Sequence, residues 1–466
     1  LSLESKLNRI VSFKIGKETT VRGTIHKVSR RTIVFEIYNP FLLLRTSEVL
    51  SDFQIRQGRH IAFQGDAVVT AVVNTSILLV VSATLSGEWS GLEVVPEEIR
   101  DIHLQAQEFV AGWNETKRLD PDYRLRVADL RLFLSDLRFW LDQMDLTRDV
   151  DPNDATKRAS LSDPDFEQIK TVVMPRMTDL FLGLEETCRK LIPDDVELHK
   201  QIAQQDLLPL MMPSPFFNRV FTKPLGYAGD YEMVNMMFRN QRSGGTTYAQ
   251  VVDDWLLAGG PPEAHRNRIH MLKKILSGAL ERAAKTNKPV RIMNIGCGPA
   301  QELQLLLSET NLSHRVSIDL FDFNAETLEY AEGRISPLTA RHHERPEITY
   351  TLKSVQELLR QAVERPEAGQ RYDFVYCAGL FDYLTDRVCS SLVKLFHHWC
   401  EPGGRVLVTN VHESNPVKGI MEHVMEWHLV LRDEAGMMRF APDRSRAKVY
   451  CDHTGINVFL ELHKPS

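Results

Sequence analysis

The chain of 466 residues has no excess of positive charge: 56 Lys and Arg stand against 62 Asp and Glu, a formal net charge of −6. A general nucleic-acid surface is therefore not expected. Its most local basic run, His26-Lys27-Val28-Ser29-Arg30-Arg31, is short and reads as a solvated hairpin tip. Cysteine is scarce as well. Six cysteines, at 188, 297, 377, 389, 400 and 451, lack any paired C-x-x-C spacing. That argues against a zinc ribbon and a disulfide framework, and fits a reducing cytoplasm. No apolar run approaches the ~18 residues of a membrane span, and residues 1–10 are amphipathic rather than signal-like. What is present is ordinary globular composition, 43% hydrophobic and 25% charged, in a chain longer than one core usually supports.

Residues 9–92 read as β. Runs at 21–25, 32–37, 60–65, 67–73 and 76–82 are separated by Gly, Asn or Ser turns, the pattern of a small antiparallel barrel. Residues 1–95 resemble a PilZ domain, the bacterial receptor module for cyclic di-GMP. The resemblance implies an R-x-x-x-R segment and a [D/N]-x-S-x-x-G turn. Here the matching turn is Lys27-Val28-Ser29-Arg30-Arg31-Thr32, and Arg9 has no Arg four residues away on either side. The barrel is thus expected to serve docking or regulation without cyclic di-GMP.

Pro96 marks a break, and residues 96–210 turn helical. Val127, Leu130, Leu134, Leu137 and Leu141 recur at steps of three and four. A second run carries Val172, Val173, Met177, Leu180, Phe181 and Leu184, with a polar loop at 149–165 between the two. Plain helix packing explains both stripes; the alternative is a lid over a long apolar substrate.

The informative stretch follows Val290. An apolar strand runs into Gly296-Cys297-Gly298, and a helical pattern begins at Leu303, Leu306 and Leu307. Glycines there permit a tight turn and close approach of a ligand to the backbone, and a helix N-terminus offers free N–H groups. A second strand, 316–322, ends in Asp322, suitably spaced to take hydrogen bonds from ribose hydroxyls. A dinucleotide fingerprint would need a third glycine where Gln301 stands. Further strands are expected at 348–352, 372–379, 405–410, 448–452 and 457–462, giving an α/β, doubly wound, Rossmann-like sheet. Residues 276–466 resemble a class I S-adenosylmethionine (SAM) dependent methyltransferase. The resemblance implies SAM as cofactor, with Gly296, Gly298 and Glu302 in its first loop and Asp322 on the ribose. Asn324, Ser354 and Val355 would line the adenine side, and Ala378 and Gly379 would lie near the sulfonium.

A second signature is Lys223-Pro224-Leu225-Gly226-Tyr227-Ala228-Gly229-Asp230-Tyr231, within a segment, 211–275, read as lid or substrate-binding helices. It is either a glycine-rich loop with Asp230 capping a helix, or a lid that binds a charged ligand. With Cys377-Ala378-Gly379-Leu380-Phe381-Asp382-Tyr383-Leu384 and Glu426-Trp427-His428-Leu429-Val430-Leu431-Arg432, it resembles one bacterial family. That family is the extracellular-factor 3-hydroxypalmitic acid methyl ester biosynthesis methyltransferases, and the likeness runs from about Met211 to the C-terminus. It implies methyl transfer to the carboxylate of a 3-hydroxy fatty acid, an apolar small-molecule acceptor, giving a diffusible ester signal. Tyr227, Asp230 and Tyr231 would close over cofactor or acceptor; His412 and Tyr231 would be the catalytic residues, His412 near the acceptor, and Arg432 would attract a carboxylate. No metal is expected, since Arg341-His342-His343-Glu344 reads as an exposed loop. The alternatives are an O- or N-methyltransferase of another small metabolite, or a barrel-regulated signalling or docking protein with little turnover.

Overall fold

A computed structural model of the chain describes residues 9–15, 19–29, 31–37, 42, 44–57, 60–74, 79–89, 119–147, 162–192, 195–285, 288–312, 314–364 and 371–465, with isolated helical positions between 103 and 110. Residues 1–8, Arg30, the break at Pro96, most of 97–118 and the loop at 149–161 lie outside the described residues.

Strands β1 (Arg9–Ile15), β2 (Thr19–Val28), β3 (Thr32–Ile37), β4 (Val49–Gln57), β5 (His60–Asn74) and β6 (Leu79–Trp89) close into an antiparallel barrel of order β1-β2-β3-β6-β5-β4. Alternation drives it: Ile33, Phe35 and Ile37 point inward from every second position of β3. The rings of Phe13, Phe35 and Phe53 meet at its centre, with centroids 5.6 to 5.7 Å apart. Where the sequence reads as two runs, 60–65 and 67–73, the structure has one continuous strand, β5. Gly65 is not a turn there. A Cβ on it would lie 2.6 Å from the Cα of Gly87 on β6, so glycine marks a close approach of two backbones.

Helices α1 (Pro121–Thr147), α2 (Asp163–Cys188) and α3 (Val196–Met211) pack together. The α1 stripe of Val127, Leu130, Leu134, Leu137 and Leu141 is buried. Val172, by contrast, is 75% exposed, off the buried face of α2. Shorter helices α4 (Pro215–Thr222), α5 (Tyr231–Arg239) and α6 (Thr247–Leu257) lead into the long α7 (Gly260–Ala284).

The sheet then begins: β7 (Val290–Ile295), α8 (Gln301–Glu309), β8 (Val316–Asp322), α9 (Ala325–Thr339), β9 (Glu347–Leu352), α10 (Val355–Glu364), β10 (Tyr372–Cys377), α11 (Asp386–Trp399) and β11 (Cys400–Val411). After α12 (Lys418–His423) and α13 (Glu434–Met438), β12 (Ala447–Cys451) and β13 (Asn457–His463) complete it. The order is β12-β13-β11-β10-β7-β8-β9, with β13 antiparallel to both its neighbours. Numbered within the sheet this is 3-2-1-4-5-7-6, the Rossmann-like class I methyltransferase arrangement. Apolar cores cover both its faces. Strand order reverses between β7 and β10, so a crevice opens beyond their carboxyl ends. Among the described residues, no helix is long and apolar enough to cross a membrane.

Candidate functional site

At that switch point lies a cleft with about 1300 Å³ of atom-free space, part of it open to solvent. The turn after β7 forms one wall. Gly296 and Gly298 take φ of +66° and +53°, a region that side chains with a Cβ rarely adopt. The N–H groups of Gly296 and Cys297 both donate to the Phe321 carbonyl, at 2.8 and 3.0 Å, which pins the turn to β8. A Cβ at Gly298 would meet nothing within 4 Å, so this backbone faces open space.

Asp322 ties the two loops together. One carboxylate oxygen accepts from Gly298 N at 3.1 Å and the other from Asn324 N at 3.0 Å. Burial raises its pKa, opposed by these N–H donors and by the charge of Arg45. Glu302, in the first turn of α8, is buried and accepts from Tyr376 OH at 2.8 Å and Asn294 Nδ2 at 3.2 Å. Burial raises its pKa as well, against the Tyr376 hydrogen bond. The amide oxygen of Asn294, Oδ1, is buried without a hydrogen-bond partner, and Asn294 lines the cleft. Such an orphan is expected where a ligand supplies the missing donor.

Of the residues singled out by sequence, Gly296, Gly298, Glu302, Asp322, Ala378, Gly379, Tyr227 and Tyr231 share this cleft. Tyr227 packs on Phe323, ring centroids 4.9 Å apart, and Tyr231 OH donates to Glu326 at 2.8 Å. Burial and the Glu326 carboxylate push the Tyr231 phenol up to about 12. Asn324 caps α9 by accepting from Thr327 N, and does not line the cleft. Ser354 accepts from Glu357 N at 3.2 Å beside α10, and Val355 is buried in the sheet's core; neither lines the cleft. Asp230 is also outside its wall, capping α5 through Met233 N at 2.9 Å and accepting from Arg219 Nε at 2.8 Å.

His412 and Arg432 stand apart from the cleft. The guanidinium of Arg432 is buried and consumed by Phe381 O, Leu384 O, Asn410 Oδ1 and Asp386. It braces the ends of β10 and β11 and has no donor left aimed at a ligand. His412 bonds Ser414 at 2.7 Å and Glu434 at 3.0 Å, in a group with Cys451 near the surface.

The structure also brings in residues the sequence did not single out. Arg45 and Thr46, from the barrel segment before β4, line the cleft. The Arg45 guanidinium lies 3.7 Å over the Phe323 ring. Val49 N donates to Gly226 O at 2.7 Å, and Glu48 bridges to Tyr227, so barrel and Lys223–Tyr231 loop are joined by backbone. From α7 come His265 and Arg268, and from the far wall Met421, beside Trp427 and Leu429 of the signature at 426–432, which carry no role from sequence alone. Trp427 Nε1 donates to Tyr383 OH at 3.0 Å. The one sequence signal for His265 and Arg268 is a pair of polar residues inside an otherwise apolar helical stripe of Ala264, Ile269, Leu272 and Leu276. Nothing local marks Arg45.

No family model and no curated protein matches the chain. Solved structures that resemble it include a possible exported protein from Bordetella parapertussis, at 16% identity and TM-score 0.43, covering 66% of this chain and 100% of that one. Another is magnesium protoporphyrin IX methyltransferase from Synechocystis PCC 6803 with bound S-adenosylhomocysteine (SAH), at 10% identity and TM-score 0.33, covering 44% and 88%. A third is the N-methyltransferase NodS from Bradyrhizobium japonicum WM9 in complex with SAH, at 13% identity and TM-score 0.31, covering 51% and 98%. The class of the sheet rests on its own strand order.

Proposed function

We propose that the chain is a SAM-dependent methyltransferase acting on the carboxylate of an apolar acid, a 3-hydroxy fatty acid, to give a methyl ester. One observation carries the reading: on a sheet of order 3-2-1-4-5-7-6, the Gly296–Gly298 turn and Asp322 converge on one cleft, joined by the hydrogen bond from Gly298 N to Asp322. The residues fit the cofactor. Gly298 leaves its backbone open to a ligand, Asp322 retains lone pairs for ribose hydroxyls, and Asn294 Oδ1 awaits a donor.

When bound, SAM supplies an electrophilic methyl group on a sulfonium. The chain's own residues then have to position and desolvate rather than activate. A carboxylate acceptor is already ionised near neutral pH, so no strong general base is required. Alignment alone can supply roughly 7–11 kcal/mol in favourable cases. Met233, Met237, Met421, Trp427 and Leu429 give the cleft an apolar side that suits an acyl chain. Incubating the full chain with methyl-labelled SAM and a panel of 3-hydroxy acids, with products identified by mass spectrometry, tests the reading. Label on an ester oxygen supports it; label on nitrogen, or on no acid at all, overturns the acceptor assignment.

The reading in which the barrel regulates the site is favoured by Arg45 and Thr46 on the cleft wall. It is compatible with catalysis, since the same segment can complete the pocket and respond to a partner.

A further inference from the structure

His265 and Arg268 sit one turn apart on α7, 8% and 9% exposed, and both line the cleft. Arg268 Nη2 lies 2.7 Å from His265 Nδ1. A guanidinium carries only donors, so Nδ1 must accept and the ring proton resides on Nε2. Burial, then the neighbouring charges of Arg268 and Arg266, hold the imidazole neutral. Its Nε2–H is buried with no hydrogen-bond partner among the described residues. Arg268 likewise makes no ion pair among the described residues, although the carboxylates of Asp382 and Glu302 act on it through space.

A buried guanidinium with no carboxylate in ion-pair contact among the described residues, bonded to a neutral imidazole, is an arrangement that an anion completes. The end of β10 is shaped to admit the guanidinium. A Cβ at Gly379, whose φ is +89°, would lie 2.9 Å from Arg268 Nη2. The acidic neighbours set the charge of the guest: they disfavour a dianion such as phosphate and suit a singly charged carboxylate.

We propose that Arg268 is a carboxylate clamp, in which the guanidinium holds one carboxylate of a small molecule in the cleft and His265, accepting from Nη2 through Nδ1, fixes the guanidinium's orientation. This rests on the methyltransferase reading, which brings two carboxylates to the cleft, the amino-acid end of the cofactor and that of the acceptor.

Calorimetry on the full chain separates the two sources, using SAH and 5′-methylthioadenosine, which keeps the nucleoside and thioether but lacks the amino-acid carboxylate. If the clamp holds the cofactor, Arg268→Gln weakens SAH by about tenfold or more and leaves methylthioadenosine near its wild-type affinity. If it holds the acceptor, both nucleosides bind as in wild type and the KM for a 3-hydroxy acid rises by about tenfold or more, with kcat little changed. In either case His265→Leu, which removes the acceptor that orients the guanidinium, reproduces part of the loss, and His265→Asn, whose amide oxygen matches the Nδ1 position, restores much of it. Unchanged binding of both nucleosides and the acid in Arg268→Gln would overturn the clamp. So would equal weakening of all three together with a lowered unfolding midpoint, the mark of a merely structural pair. A folded wild-type chain that binds neither nucleoside would instead overturn the methyltransferase reading on which the clamp rests.

Discussion

Ser47 and His428 are joined by two hydrogen bonds across 381 residues of sequence: Ser47 Oγ donates to His428 O at 3.0 Å and accepts from His428 N at 2.5 Å. Ser47 is fully buried, and the residues on either side of His428, Trp427 and Leu429, line the cleft. The barrel therefore grips the strip of chain that forms the cleft's apolar wall. Ser47→Ala leaves the part-buried N–H and C=O of His428 short of partners, and about 1 kcal/mol of stability is expected to go with them. Urea unfolding measures this; an unaltered midpoint would mean the grip contributes nothing.

Arg45 extends the same connection to the cofactor side. Its guanidinium, stacked on Phe323, faces the ring next to Asp322. A cation–π contact of this kind is worth about 0.5–2 kcal/mol. Arg45→Ala is accordingly expected to lower stability by about that amount and, because Arg45 lines the cleft, to weaken SAH as well, measured by urea unfolding and by calorimetry on the full chain. Affinity unchanged in Arg45→Ala would leave the barrel beside the pocket rather than part of it.

Gly298 separates ligand exclusion from loss of fold. Its positive φ makes alanine cost about 1–2 kcal/mol, but the added Cβ meets no protein atom. Gly298→Ala is expected to fold and yet lose most of its affinity for SAH, because the space the methyl enters is the ligand's. Wild-type affinity in a folded Gly298→Ala would move the cofactor off this turn.

The lysine of the Lys223–Tyr231 loop provides a pH signature. Burial, outweighing attraction to Glu426 and reinforced by the charge of Lys200, lowers the Lys223 ammonium to about 8. The unfolded chain keeps that proton until about 10.4. Between these values the unfolded state binds more protons, so this group makes stability rise with pH from about 8 to 10. Below pH 8 its burial is a penalty on the order of 3 kcal/mol. Lys223→Met is expected to be more stable than wild type at pH 7, with the difference closing toward pH 10. A wild-type minus variant difference that is flat with pH would contradict the shift.

How much of this was legible in the sequence depends on whether the signal is local. The strand-to-glycine turn at Gly296, the acid ending β8 and the strand succession are written in short periodic stretches, and the sheet follows them. The barrel's alternation was equally local, although Gly65 looked like a break because close backbone approach and turning use the same residue. Arg432 and His412 illustrate the opposite case. Each lies near the carboxyl end of β11, but only packing reveals that Arg432 is spent on four partners and that His412 turns to Glu434. Arg45 reaches the cleft from a barrel 277 positions before Asp322 by numbering, a relation no periodicity carries.

The central claim, that the cleft between β7 and β10 receives the sulfonium nucleotide, is tested most directly by ultraviolet cross-linking of methyl-labelled SAM to the full chain, followed by peptide mapping. The account predicts label on peptides carrying Tyr227–Tyr231, Asn294–Glu302, Asp322–Phe323 or Ala378–Tyr383, displaced by excess SAH. Absence of label on folded protein, or label on other peptides that SAH does not displace, would contradict it.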